Sequence, residues 1–210
     1  MTPKKFVAAL QAYEEERVFN PYLNNCAVFD RAKASEIRSK NLWRLLVAMQ
    51  KSELDAIWIG RDLGYRGGRR TGLALTDEAR FEMAQKRWGI KLDRATKGEP
   101  VAERTANNIW MLLEVIEVPV FMWNVFPFHP HEQGKPFTNR AHTAIERDKG
   151  VELLAIVVAM LKPKRLVAIG NDAYRIAERE FSYLPVHKVR HPSYGGEKDF
   201  ERQLRKLYGI

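Results

Sequence analysis

Between Gly60 and Gly72 the chain reads Gly60-Arg61-Asp62-Leu63-Gly64-Tyr65-Arg66-Gly67-Gly68-Arg69-Arg70-Thr71-Gly72, five glycines, four arginines and one carboxylate in a single stretch. Glycines permit tight turns and close approach of backbone amides to a ligand, while arginines supply the charge that attracts an anion. No Gly-Lys-Ser or Gly-Lys-Thr follows, and the glycine spacing is not that of a dinucleotide fingerprint, so the stretch does not read as a nucleotide-cofactor cradle. Asp62 either caps local backbone amides, as turn aspartates do, or offers a carboxylate to a reacting group. Asn124 carries a donor and an acceptor on one amide, which suits it to reading a hydrogen-bonding edge or to tying two loops together. His191-Pro192-Ser193 offers an imidazole donor, or a histidine that only fixes the Pro192 turn. His129-Pro130-His131 supplies two ligand types without a convincing third, so no metal is assigned. No serine sits in a nucleophile elbow.

Three short apolar runs rich in β-branched and aromatic residues, Leu54–Gly60, Val118–Asn124 and Leu166–Gly170, predict buried parallel strands, and Pro185–Arg190 predicts an edge strand. Helical patterns lie between and around them at Thr76–Arg87, Arg104–Ile116, Arg140–Leu161, Asn171–Phe181 and Gly196–Leu207, with Lys4–Arg17 and Lys33–Lys51 ahead of the first strand. Strand and helix in alternation predict an α/β fold, a three-layer αβα arrangement around a central, mainly parallel four-stranded sheet. Ligands of such sheets bind outside the carboxyl ends of the strands, which is where Asp62, Asn124 and His191 fall. The stripe of Trp110, Met111, Leu112, Leu113 and Ile116 reads as core, and Glu14–Glu16 and Glu197–Arg205 as solvated helix faces.

At 210 residues, 45% of them hydrophobic, the chain is long enough to bury a core and is expected to form one domain, with residues 1–51 as helices packed on it. Lysine and arginine number 35 against 26 acidic residues, a net charge of +9, which makes polyanions the first partners to consider. A single cysteine, Cys26, excludes an internal disulfide, a four-cysteine zinc site and a self-contained iron–sulfur cluster, and points to a reducing compartment. The N-terminal apolar run is too short for a signal-peptide core, and the longest apolar stretch, Leu153 to Leu161, is less than half of a membrane span. A soluble, cytoplasmic protein away from membranes is expected.

Taken together, Gly60-Arg61-Asp62-Leu63-Gly64, Asn124 at the end of an apolar strand, and His191-Pro192-Ser193 resemble the motifs of the uracil-DNA glycosylase superfamily, from about Asp55 to the C-terminus. The resemblance implies a monofunctional DNA repair glycosylase that flips uracil or a related deaminated base into a pocket and hydrolyses its N-glycosidic bond, acting as a monomer on DNA without a cofactor. It implies a catalytic Asp62 beneath the developing sugar cation and a His191 that donates to the uracil oxygen becoming negative. Asn124, Leu75 and Gly64 would bind the base, and Arg61, Arg66, Arg69, Arg70, Arg190, Ser193 and Tyr194 would contact DNA. Four departures stand out. Leu63 replaces a common proline, Leu75 a stacking phenylalanine, and Gly64 the tyrosine that blocks a thymine methyl, while Tyr194-Gly195-Gly196 lacks a leucine wedge. These departures leave a non-catalytic DNA- or nucleotide-binding member of the fold as the alternative.

Overall fold

The computed structural model describes all 210 residues. In chain order the elements are α1 (Pro3–Gln11), β1 (Val18–Phe19), α2 (Ala34–Met49), β2 (Ala56–Asp62), α3 (Gly68–Thr71), a 3-10 turn (Glu78–Arg80), α4 (Phe81–Trp88) and α5 (Arg104–Leu113). There follow β3 (Val120–Phe126), β4 (His129–Pro130), α6 (Ala144–Leu161), β5 (Arg165–Ile169), α7 (Asn171–Glu180), β6 (Val186–Val189) and α8 (Glu197–Tyr208). Four strands form a sheet in the order β3-β2-β5-β6 with every neighbour parallel, flanked by helices, which is the expected αβα arrangement. No helix is long and apolar enough to cross a membrane.

Both faces of the sheet are covered where β2, β3 and β5 pair, so these strands carry near-continuous buried runs rather than alternation, with all seven residues of β3 buried, while the edge strand β6 mixes apolar with polar residues. The chain leaves β2 for β3 on one side and later returns to pair β5 on the other. This reversal opens a crevice at the carboxyl end of β2. Strands β2 and β3 each run two residues beyond the apolar runs that announce them, because pairing continues from Gly60↔Asn124 to Asp62↔Phe126. Gly60 reads as a strand end in sequence. In the fold its missing side chain makes room for Asn124, since a Cβ there would collide with Asn124 Oδ1.

Other boundaries move for local reasons. Helix α6 starts at Ala144 rather than Arg140 because Thr143 caps it, accepting from Glu146 N–H at 3.3 Å while the Glu146 carboxylate takes the Thr143 N–H at 2.6 Å. Arg140 instead lies outside the helix, clamping Glu146 through two bonds of 2.6 and 2.7 Å. The expected Thr76–Arg87 helix divides into the 3-10 turn and α4, and Lys4–Arg17 stops at Gln11 so that Val18–Phe19 can pair antiparallel with His129–Pro130. Met111 corrects the core stripe: it is 60% exposed, on the outer side of α5, while Trp110, Leu112, Leu113 and Ile116 are buried.

One core joins the N-terminal helices to the sheet, with Phe6, Leu10, Leu42 and Leu46 in the same cluster as Trp58, Phe121 and Trp123. A buried ion pair lies beside it: Arg38 meets Asp30 at 2.7 and 3.1 Å and also donates to Pro21 O at 2.7 Å. Removing one partner would strand the other charge away from water.

His129 on β4 is wholly buried and engages Thr138 O through Nε2 at 2.9 Å. Burial, helped by the charge of Arg69, pushes its imidazole down to about 3. An unfolded histidine protonates near ~6.5, so between these values the unfolded chain binds the extra proton and stability falls as the pH drops. Wild-type stability is expected to decline by up to about 1.4 kcal/mol per pH unit between about pH 6 and about pH 4. Urea titrations at fixed pH should show a shallower decline for His129→Gln; identical slopes would remove His129 as the cause.

Candidate active site

A cavity of about 520 Å³ opens at the carboxyl end of the sheet, and the residues after β2, β5 and β6 line it together with Asn124 of β3. Asp62, Asn124 and His191, far apart in sequence, all face it. Gly64 and Leu75 line it as well, and so do Arg61, Arg190, Ser193 and Tyr194. Arg66 is exposed on the loop nearby.

Asp62 closes β2 with its side chain 6% exposed and both oxygens engaged. Arg61 Nε donates to Oδ2 at 2.6 Å, and His142 Nδ1 bonds Oδ1. Arg61 also reaches Asp172 at 3.6 Å. His142 has no signature in the sequence, for it lies in the irregular segment before α6. The cap at Thr143, one residue later, fixes where it points.

Asn124 is 1% exposed, and neither its Nδ2 nor its Oδ1 has a hydrogen-bond partner in the chain. A buried primary amide without partners is costly unless something outside the fold completes it. The cavity is the direction in which that completion can come.

His191 accepts the Ser193 N–H on Nδ1 at 3.1 Å, which assigns the ring proton to Nε2. Burial, then the nearby charges of Arg61 and Arg190, lower its pKa below the ordinary histidine value, so at neutral pH the ring is an uncharged donor. Two glycines hold it in place. A Cβ at Gly196 would strike His191 O, and Gly170, at φ +93°, leaves only 3.4 Å between its missing Cβ and His191 Cβ.

The loop after β2 is folded tightly. Tyr22 donates its hydroxyl to Gly72 O at 2.8 Å, Thr71 Oγ1 bonds Thr76 O at 2.8 Å, and Leu75 adopts φ +55° with its side chain toward Gly60. This folding corrects the expectation that Arg69 and Arg70 face DNA. Arg69 is 2% exposed, its guanidinium 3.9 Å from the centre of the Phe19 ring and near Phe29 and Phe137. Arg70, 7% exposed, is paired with Glu78 at 2.8 Å. Helix α3 turns both arginines inward beneath the loop. Arg61, Arg66 and Arg190 stay exposed. Tyr194 stands at the rim, 98% exposed and at φ +54°.

No curated protein sequence matches the chain significantly. Among solved structures, SMUG2 from Pedobacter heparinus is similar with a TM-score of 0.68 at 11% identity, over 99% of this chain and 96% of that one. A mutant of UNG from Nitratifractor salsuginis aligns over 99% of this chain and 96% of its own at 16% identity, with a TM-score of 0.39. The first likeness is one of fold. The model of the uracil DNA glycosylase superfamily matches residues 39–207, most of the chain, from α2 to the last turn of α8, and on that match the protein belongs to this superfamily.

Proposed function

We propose that the protein is a monofunctional DNA glycosylase that takes a flipped uracil, or a related deaminated base, into the cavity and hydrolyses its N-glycosidic bond. The observation that carries this reading is the buried, unpartnered amide of Asn124 facing a cavity that Asp62 and His191 also line. Its Nδ2 donates to uracil O4 and its Oδ1 accepts from N3–H, a pattern that cytosine inverts. Leu75 supplies an apolar floor beneath the ring, and beside Gly64 the pocket is closed by the Glu103 carboxyl, whose Oε1 would lie 2.7 Å from a Cβ at position 64.

As the bond between C1′ and N1 breaks, positive charge grows on the sugar and negative charge on the base. Asp62, held by Arg61 and His142, is a fixed negative charge under the sugar and orients the water whose oxygen bonds to C1′. The proton from that water passes to solvent. His191 Nε2–H donates to the uracil oxygen that gains charge, and an uncharged imidazole does this without giving up its proton. Only water is consumed. Arg61, Arg66 and Arg190 attract the phosphates, while Ser193 and Tyr194 meet DNA at the rim, with Tyr194 placed to fill the gap a flipped base leaves.

End-labelled oligonucleotides carrying uracil, hypoxanthine or unmodified bases test the reading through abasic-site formation across a salt series. Cleavage at uracil is expected, with an affinity that falls by roughly 0.7 log units per log unit of salt for each phosphate neutralised on single strands, or about 2 for three arginines. Tight binding with no base released would favour the non-catalytic alternative, and no binding at low salt would remove DNA as the ligand.

A further inference from the structure

Arg61 holds Asp62 in the free protein and is also one of the cations that attract DNA phosphate, and one guanidinium cannot do both in full. The two groups that hold Asp62 differ in how firmly they are fixed. His142, on Oδ1, has its side chain 8% exposed, packed against the Phe126 ring and next to the cap at Thr143. Arg61, on Oδ2, is 43% exposed and already shared, with Nη1 3.6 Å from Asp172 Oδ2. Asp172 lies in the first turn of α7, where the helix end favours a carboxylate, so it does not depend on Arg61.

Placement separates the two groups as well. His142 lines a groove of about 380 Å³ beside the cavity, between the starts of α6 and α7, where Arg147, Arg175 and Arg179 also face. Arg61 and Asp172 line both the groove and the cavity, at the border between them. A strand whose target base enters the cavity therefore brings its backbone to Arg61. A phosphate offers the guanidinium a pair of oxygens at once, where Asp62 and Asp172 each offer one.

An ion pair presents a dipole to the sugar where a lone carboxylate presents a charge. With Arg61 Nε 2.6 Å from Oδ2, the field that Asp62 offers a developing cation is partly cancelled, and a lone pair that can hold the water is taken. We propose that Arg61 is a latch on the catalytic carboxylate that a substrate phosphate opens: the guanidinium exchanges Asp62 for a backbone phosphate beside the flipped nucleotide, while His142 keeps the carboxylate in place. The inference rests on the glycosylase reading. It makes the chemistry conditional on a strand lying across the site, and a uracil without its flanking phosphates meets a carboxylate whose charge is still masked.

The test compares single-turnover uracil release, at saturating protein, from two single-stranded oligonucleotides. One has natural linkages, and the other has uncharged methylphosphonate linkages on both sides of the uridine. The proteins are wild type, Arg61→Gln and Arg61→Ala, each with a thermal melt, so that either variant carries the comparison if the other fails to fold. On the natural strand wild type should be the faster protein, because phosphate opens the latch and Arg61 helps to seat the strand. On the neutral strand the order should reverse, with the variants about tenfold faster than wild type, since nothing draws Arg61 off Asp62 and its removal alone unmasks the charge. An arginine that merely binds phosphate, or merely props Asp62, never makes its own removal beneficial. Folded variants no faster than wild type on the neutral strand overturn the latch and leave the glycosylase reading intact. Variants faster than wild type on both strands overturn it too, for phosphate then fails to open it. A wild-type protein that releases no uracil from the natural strand overturns the functional reading and this inference with it.

Discussion

Asp62→Asn is expected to slow single-turnover uracil release by about 10²- to 10⁴-fold while DNA binding is kept or tightened. The two halves of this expectation come from one geometry. The negative charge matters most when the sugar becomes cationic, so its loss raises the barrier more than it weakens the bound state. Before the reaction that same charge holds Arg61 at 2.6 Å and shares it with Asp172. Neutralising Asp62 releases the guanidinium toward phosphate, which favours DNA. Quench-flow cleavage and fluorescence anisotropy on one labelled oligonucleotide separate the two effects. A wild-type chemical rate in Asp62→Asn would mean that Asp62 is not the catalytic carboxylate.

The next largest effect belongs to His191. Replacing it with Ala removes the proposed oxyanion donor, and the expected loss in the chemical step is about 10²- to 10³-fold. The accompanying pH profile is more telling. A folded-state pKa below the ordinary histidine value keeps the ring neutral, with its proton on Nε2, as the pH falls through about 6.5. The wild-type rate should therefore show no inflection assignable to His191 between about pH 8 and about pH 6.5. A rate that rises on acidification and loses that rise in His191→Ala would replace the neutral donor with an imidazolium acid. A loss of less than about threefold in His191→Ala would remove it from the chemistry altogether.

Asp62, Asn124 and His191 were legible in the sequence because each ends or follows a strand-like run, strongly apolar for Asp62 and Asn124 and a weaker, mixed one for His191. A parallel sheet sends all its carboxyl ends to one edge, so local pattern and topology together bring such residues into one place. His142 and Glu103 carry no comparable signal. Both come from irregular segments beside a helix start, and their direction depends on contacts that only the folded chain makes: the cap at Thr143 for one, the bond to Asp77 and the two bare glycines for the other. Arg69 and Arg70 show the opposite failure. Charge and loop position argue for solvent, yet Phe19, Phe29 and Phe137 gather from three distant segments to cover Arg69, and Glu78 waits for Arg70. Long-range aromatic cover of a cation leaves no periodic trace in a single sequence.

The left-handed backbone of Leu75 has its own consequence. A residue with a Cβ at φ +55° sits about 1 to 2 kcal/mol above the conformation it would choose freely. Glycine would relieve that strain. It would also empty the apolar floor beneath the base and loosen the contact with Gly60 on which the placement of Asn124 leans. Folding and the proposed base capture thus compete at one position. A stabilisation campaign that ranks variants by melting temperature alone will lead away from leucine at 75, toward a sturdier protein and a poorer catalyst.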